Sequence, residues 1–245
     1  MRFQLLPAAN PVAQDARFDE LLIAAAAASG PAACIWETGQ SLVVPRTYQR
    51  FDNFTTVNAG FAREGWPVAL RHSGGGIVPQ GPGIVNVSLA YAVQGKPLDH
   101  SDQAYQLLCE IVSRALQRLG IVARAQAVQG SFCDGRYNLA VGSGAACRKI
   151  AGTAQLWRRH PRSTKADDQI VLVHALVLVN VDTDAVTEVA NRYETALGSA
   201  RRYDSRRVTS VRQLVARGTA QDGDLMAQLK NALEQELAQE ISHGP

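Results

Sequence analysis

Residues Ile170 to Val181 read IVLVHALVLVNV, a nearly continuous run of Val, Leu, Ile and Ala. Such a run has no polar face to give to water. As a strand it is therefore buried on both sides. With 245 residues, the chain can bury one substantial core. An apolar content of 46% against 19% charged residues is that of a globular chain, not a disordered one.

Further strands are predicted at Ala32–Glu37, Pro67–Arg71, Gly83–Val93, Val122–Ala127, Tyr137–Gly142 and Arg148–Trp157. In the third of these, Val85, Val87, Leu89 and Tyr91 alternate with Asn86, Ser88 and Ala90. That period of two predicts a half-buried strand. Leu107, Leu108, Ile111, Val112, Ala115, Leu116 and Leu119 recur at helical spacing and predict a helix over Asp99–Leu119, closed by Gly120. Other helices are predicted at Leu21–Ala28, which Gly30-Pro31 stops, and at Asp184–Ala196, Thr209–Ala216 and Asp224–Ile241. Arg158–Asp168 is polar, contains Pro161 and reads as a surface loop. Strands between well-separated helices make an α+β chain with mostly antiparallel sheets.

The net charge of +3 is too small to argue for nucleic acid. Cys34, Cys109, Cys133 and Cys147 form no C-x-x-C pair, so no metal site and no disulfide framework is expected. The longest apolar run, Leu21 to Ala28, is too short to span a bilayer and follows acidic residues, the wrong flank for a signal peptide. A cytoplasmic protein with reduced thiols and no membrane partner is expected.

Two glycine-containing stretches carry the chemistry. In Arg71–Tyr91, RHSGGGIVPQGPGIVNVSLAY, the run Gly74–Gly76 leads to a strand, so it is neither a dinucleotide fingerprint nor a P-loop. It is either a tight turn or a surface that a ligand approaches without meeting a Cβ. Ser73 and Asn86 add polar groups nearby. In Gly130–Gln155, GSFCDGRYNLAVGSGAACRKIAGTAQ, Cys133 precedes the turn pair Asp134-Gly135, and Lys149 lies on the next strand. A reactive thiol needs exposure and a nearby cation. A simple hairpin, however, puts the cysteine loop and Lys149 at opposite ends. Cys34 and Cys109 fall on apolar patterns and read as core residues; Cys147 reads either way. His174, in the apolar run, reads as a histidine hydrogen-bonded in place.

The motifs R-x-S-G-G-G…N-x-S-L and R-Y-N-L-x-V…R-K-I-A-G-T-A-Q resemble the lipoate–protein ligase, octanoyltransferase and biotin–protein ligase catalytic domain over roughly Phe18 to Asp182. The resemblance implies a class II biotin/lipoate ligase-like fold, with residues 1–182 as the catalytic domain and 183–245 as a helical part packed on it. It implies that Arg71, His72, Ser73, Gly74, Gly75, Gly76, Asn86, Tyr137, Asn138, Gly152, Thr153, Ala154 and His174 bind substrate. It implies that Lys149 contacts the acyl group. The stretch G-S-F-C-D-G-R-Y-N-L most resembles the cysteine-dependent octanoyl or lipoyl amidotransferases, which makes Cys133 the acyl-thioester nucleophile.

The activity so implied moves an octanoyl or lipoyl group from an acyl carrier protein or glycine-cleavage H protein, through Cys133, to a lysine of a lipoyl domain of a 2-oxoacid dehydrogenase. No cofactor is needed for that reaction. An ATP- and magnesium-dependent lipoate–protein ligase is the rival, disfavoured because only about sixty residues follow Asp182 where such ligases carry an accessory domain. A non-catalytic binder of lipoylated proteins is a third reading. No helix-turn-helix precedes the domain, so a repressor role is not expected. Two basic clusters could meet an acidic partner: Arg158, Arg159, Arg162 and Lys165, expected beside the pocket mouth, and Arg201, Arg202, Arg206 and Arg207, expected as a solvated face.

Overall fold

The computed structural model describes residues 1–8, 18–165, 167–215 and 225–239. In chain order its first half holds β1 (Gln4–Leu5), α1 (Leu21–Ser29), β2 (Ala32–Trp36), β3 (Ser41–Pro45), α2 (Phe54–Arg63), β4 (Val68–Arg71), β5 (Val78–Gln80), β6 (Ile84–Gln94) and α3 (Pro97–Arg118). The second half holds β7 (Arg124–Ala125), β8 (Leu139–Val141), β9 (Arg148–Arg159), β10 (Asp168–Leu178), α4 (Thr183–Ala196), α5 (Val211–Leu214) and α6 (Leu225–Ala238). Asp224, Ala216 and Ile241, at the ends of two predicted helices, lie outside the described residues. No helix among the described residues is long and apolar enough to cross a membrane.

Seven strands form one sheet in the order β1-β2-β6-β10-β9-β8-β7, and three form a smaller one, β4-β3-β5. β1 with β2 and β3 with β4 are parallel pairs; the other pairs are antiparallel. β10 lies between β6 and β9, and Ile170, Val171, Leu172 and Val173 are all buried. This is the two-sided burial its composition predicts.

One face of the large sheet packs on α3 and α6. Val85, Val87, Leu89 and Tyr91 share a core with Leu108, Val112 and Leu116 of α3 and with Leu229, Leu233 and Leu237 of α6. Val211 of α5 joins the same core, so elements beyond residue 182 help to cover this sheet. α3 begins with Pro97, whose missing N–H is no loss at a helix start. It ends where Gly120 takes a φ of +77°. α4 starts at Asp182, whose carboxylate accepts from the N–H groups of Asp184 and Ala185 at 2.9 and 3.1 Å.

The other face corrects the half-buried reading of β6. Asn86 and Ser88 are 3% and 0% exposed. The small sheet and α1 cover them: the Asn86 amide exchanges hydrogen bonds with Gln80 of β5 at 2.8 and 3.2 Å, and Ala90 packs with Leu22 and Ala26. Alternation along one strand signals polar side chains, not water. Here the polar row faces the gap between two sheets.

The predicted loop Arg158–Asp168 is shorter than expected. β9 continues to Arg159 and β10 starts at Asp168. The predicted strands Val122–Ala127 and Tyr137–Gly142 shrink to the short β7 and β8, which leaves Tyr137 and Asn138 in a loop.

Candidate active site

A cavity opens between the two sheets. Trp36, Val43, Val78 and Leu176 form an apolar wall, while Arg71, Gln80, Asn86, Cys133, Lys149 and His174 supply polar groups. Gly152, Thr153 and Ala154 of β9 complete the lining.

Cys133 sits at the end of this cavity with a φ of +48°. That left-handed conformation costs an L-residue roughly 1–2 kcal/mol. No other non-glycine residue among those described has a positive φ. Three groups hold the residue. The Gly76 N–H donates to Sγ at 3.3 Å. Arg71 Nη2 lies 3.4 Å from Sγ and also donates to the Gly76 carbonyl at 2.9 Å. Lys149 Nζ donates to the carbonyls of Phe132 and Cys133 at 2.7 and 3.1 Å.

The Gly74–Gly76 run is thus both a turn and a close approach. Gly75 has a φ of +112°, and a Cβ there would stand 2.6 Å from Cys133 Sγ and 2.7 Å from Arg71 Nη2. Any larger residue displaces the thiol or its cation. Gly74 is exposed, and a Cβ there would meet nothing within 4 Å.

Lys149 is fully buried. A bulge aims it. Ala140 pairs with Lys149 while Leu139 pairs with Ala151, so β9 carries one extra residue against β8. A Cβ on Gly152 would stand 2.9 Å from Lys149 Nζ, so the missing side chain makes room for the ammonium. The objection from simple hairpin geometry falls away because β8 has only three residues. The preceding loop folds back across it. Asp134 Oδ1 ties that loop by accepting from the Val128 N–H at 2.9 Å and from Asn138 Nδ2 at 3.3 Å.

Burial alone raises the Cys133 thiol. The Arg71 guanidinium, the Lys149 ammonium and the Gly76 N–H outweigh it and bring the pKa down to about 7 from 9.0. Burial lowers Lys149 to about 8, against the pull of the Cys133 thiolate and Asp134. The other thiols go the opposite way. Burial pushes Cys34 up to about 11 and Cys109 up to about 12, and it raises Cys147 as well. All three are buried and read as core, which settles the open case of Cys147.

Alkylation of Cys133 by iodoacetamide, followed against pH, should therefore rise through about pH 7 rather than near 9.0. The thiolate is the reactive form, and the cations favour it, so reactivity is lost as pH falls through that value. A reaction that needs the ammonium as well should fall again above about pH 8 as Lys149 loses its proton. Both midpoints belong to the coupled pair. A single rise near pH 9 would show that the cations do not act on the thiol.

His174 lines the cavity and is also held in place. Its Nδ1 pairs with Asp19 Oδ2 at 2.9 Å, and its Nε2 meets Ser73 Oγ at 3.0 Å. Asp19 Oδ2 accepts from Ser88 Oγ at 3.0 Å, and Ser88 Oγ accepts from Trp36 Nε1 at 3.0 Å. Asp19 reads in the sequence only as a helix flank. It reaches the site across 155 positions of chain, a distance no local pattern reports.

Several expected substrate contacts lie elsewhere. His72 sits in the bend that follows β4. It pairs with Glu20 at 2.7 Å and does not border the cavity. Tyr137 is not among the residues lining the cavity. Its carbonyl accepts from Thr153 Oγ1 at 2.8 Å, and its ring stacks on Tyr105 at 4.8 Å. Asn138 is buried beside Gly152. Among the described residues, no three His, Cys, Asp or Glu side chains are grouped to hold a metal ion.

The sequence model for the lipoyl protein ligase A/B catalytic domain matches residues 11–238. The chain belongs to this family. Its members are octanoyltransferases and lipoate ligases, so the family is one of enzymes. An uncharacterized protein of Cupriavidus necator is 49% identical over 248 residues, 98% of each chain. The octanoyl-[GcvH]:protein N-octanoyltransferase of Kyrpidia tusciae is 31% identical over 180 residues, covering 73% of this chain and 60% of that enzyme. The bipartite lipoate protein ligase of Thermoplasma acidophilum, studied with its E2 lipoyl domain, shares the fold. Its TM-score is 0.63 at 18% identity, over 96% of this chain and 82% of that one. A lipoate-protein ligase A bound with ATP gives a TM-score of 0.65 at 18% identity, over 96% and 84%.

Proposed function

We propose that this protein is an octanoyl or lipoyl protein acyltransferase working through a thioester on Cys133. The observation that carries the reading is the contrast among the four thiols. Cys133 alone is brought down, to about 7, and it alone faces the cavity between the sheets. Trp36, Val43, Val78 and Leu176 give the cavity an apolar wall for an acyl chain; its volume is about 30 Å³, so its side chains must move apart to admit one.

In the first step the Cys133 thiolate attacks the acyl carbonyl of the donor. A C–S bond forms, and the donor's C–S or C–N bond breaks. Its thiol or amine leaves with a proton taken from water. In the second step the amine of an acceptor lysine attacks the thioester. A C–N bond forms, the C–S bond to Cys133 breaks, the amine gives up a proton to water, and the thiolate is released. Splitting one exchange between two proteins into two steps is what a covalent intermediate provides. Lys149 has three N–H groups, and two are spent on the Phe132 and Cys133 carbonyls. The third serves the oxyanion that develops on the acyl carbonyl. Donors are an octanoylated carrier protein or H protein, and the acceptor is a lipoyl domain.

The rival is an ATP-dependent ligase acting through an acyl-adenylate, for which Cys133 is incidental. The test is transfer from an octanoylated H protein or carrier protein to a lipoyl domain, with and without Mg-ATP. Product should form at the same rate without nucleotide, while free octanoate or lipoate with Mg-ATP gives little. Efficient nucleotide-dependent ligation of the free acid, with release of pyrophosphate, would reverse the ranking.

A further inference from the structure

Cys133 borders two spaces. One is the cavity between the sheets. The other is a more open pocket, lined by the backbone of Gly75, Gly76 and Gly130 and by Ser131, Asp134, Arg201, Arg202 and Tyr203. We propose that this outer pocket admits the acceptor lysine, and that Arg201 and Arg202 dock the acidic protein surface that carries it. The proposal rests on the acyltransferase reading.

The division of labour follows from the linings. The inner cavity carries the apolar side chains of both sheets beside its polar groups, and on the acyltransferase reading it takes the acyl chain once those side chains move apart. An amine borne on a folded protein needs the open side. There the chain presents Gly75, Gly76 and Gly130, so little side-chain bulk stands between solvent and the thiol. A Cβ on Gly76 would lie 3.4 Å from Cys133 Cα and 3.7 Å from Arg201 Nη1, which puts that guanidinium close beside the nucleophile.

Arg201 is fixed in advance. Its Nη1 donates to the Tyr48 hydroxyl at 3.1 Å, and its guanidinium lies 5.8 Å from the Tyr48 ring centre. The Tyr48 hydroxyl donates to Glu194 at 2.5 Å, and the Tyr203 hydroxyl donates to the same oxygen at 2.7 Å. Glu194 is fully buried. A carboxylate deep in the fold thus anchors the arginine through a tyrosine, without pairing with it directly. Arg202 donates to the backbone carbonyls of Ser199 and Arg201 at 2.8 and 2.6 Å. Among the described residues neither guanidinium forms an ion pair. Ser131 is 2% exposed, and its Oγ has no hydrogen-bond partner among the described residues, an unspent polar group in the wall of the pocket. Asp134 brings the one carboxylate, and its Oδ1 is occupied by Val128 and Asn138.

The other basic cluster is in the wrong place. Lys149 is near the start of β9 and Arg158 and Arg159 are at its end. Nine residues of strand put them about 30 Å apart. The expectation that this cluster lies beside the pocket mouth is therefore corrected, and of the four arginines read as a solvated face, Arg201 and Arg202 line the pocket that Cys133 borders.

The test measures transfer to a lipoyl domain with Arg202→Glu, whose native side chain touches only backbone carbonyls, and with the double variant Arg201→Glu/Arg202→Glu. Arg202→Glu should raise the partner KM about tenfold, with a much smaller effect on kcat, because charge complementarity acts mainly on encounter. Raising salt from about 0.05 to 0.5 M should narrow the gap between this variant and the wild type. A lipoyl domain with the acidic residues around its lysine changed to lysine should favour Arg202→Glu over the wild type. Arg158→Glu should leave KM unchanged. The proposal is overturned by an unchanged KM in Arg202→Glu, or by the KM effect appearing in Arg158→Glu instead. Wild-type acylation of Cys133 by the small thioester octanoyl-N-acetylcysteamine is read separately by intact mass. Its absence overturns the acyltransferase reading and the docking site with it; normal acylation with an unchanged KM overturns the docking site alone.

Discussion

Incubation with an octanoylated H protein or carrier protein should add one hydroxylamine-labile octanoyl group to the wild-type protein and none to Cys133→Ala. Transfer to a lipoyl domain should fall with it, by roughly a thousandfold or more, as expected when the nucleophile of a covalent route is removed. Cys34→Ala, Cys109→Ala and Cys147→Ala should keep both adduct and transfer. Those three thiols are buried and raised, so at neutral pH they hold little thiolate. Cys133→Ser keeps the shape of the loop and should be as inactive as Cys133→Ala, since a hydroxyl is not ionised by the cations that suffice for a thiol. This separates chemistry from packing. An adduct that survives in both variants and maps to Cys147 would sink the assignment.

Lys149→Met should lose on the order of a hundredfold in turnover, the scale of one oxyanion-stabilising donor. Two further effects follow from where the lysine is. Its ammonium is one of the cations that lower the Cys133 thiol, so the alkylation profile of the variant should move to higher pH. Its N–H groups also satisfy the Phe132 and Cys133 carbonyls inside the protein. Leaving buried acceptors unpaired costs about 1–3 kcal/mol each, so the melting temperature should drop by several degrees. Lys149, read from sequence as a site group, thus holds the loop as well. Lys149→Arg should also fail, because the planar guanidinium does not fit the space left by Gly152. A wild-type alkylation profile and melting curve in Lys149→Met would show that the ammonium neither stabilises the thiolate nor holds the loop.

The site was half legible in the chain. The glycine run and Cys133 stand out locally, as a glycine triplet and a thiol before a turn; Arg71 and Lys149 gain their roles from the family resemblance. Family resemblance joined them. Asp19, Ser88, Trp36 and Gln80 carry no such mark, and each is an ordinary residue in an ordinary element. Trp36 and Gln80 line the cavity because two sheets close on one another, and Asp19 and Ser88 reach it through their bonds to His174 and Trp36. His72 and Tyr137 fit the motif but are not among the side chains lining the cavity. One pairs with Glu20, and the other stacks on Tyr105.

The long helix over Pro97–Arg118 and the buried strand over Asp168–Leu178 were determined by the sequence alone, because helical spacing and an unbroken aliphatic run are local quantities. The strand Ser41–Pro45 and the helix Phe54–Arg63 were not expected; the structure, not a local reading, revealed them. The electrostatics of the thiol were beyond any local reading. Arg71 lies 62 positions from Cys133, and Lys149 reaches back across 16. Their effect on its proton depends on distance and burial, which only the closing of the sheets sets. The same holds for the two basic clusters. In the sequence Arg158 is near Lys149 and Arg201 is remote. A strand carries the first about 30 Å away, and the turn of the chain after α4 brings the second to the nucleophile.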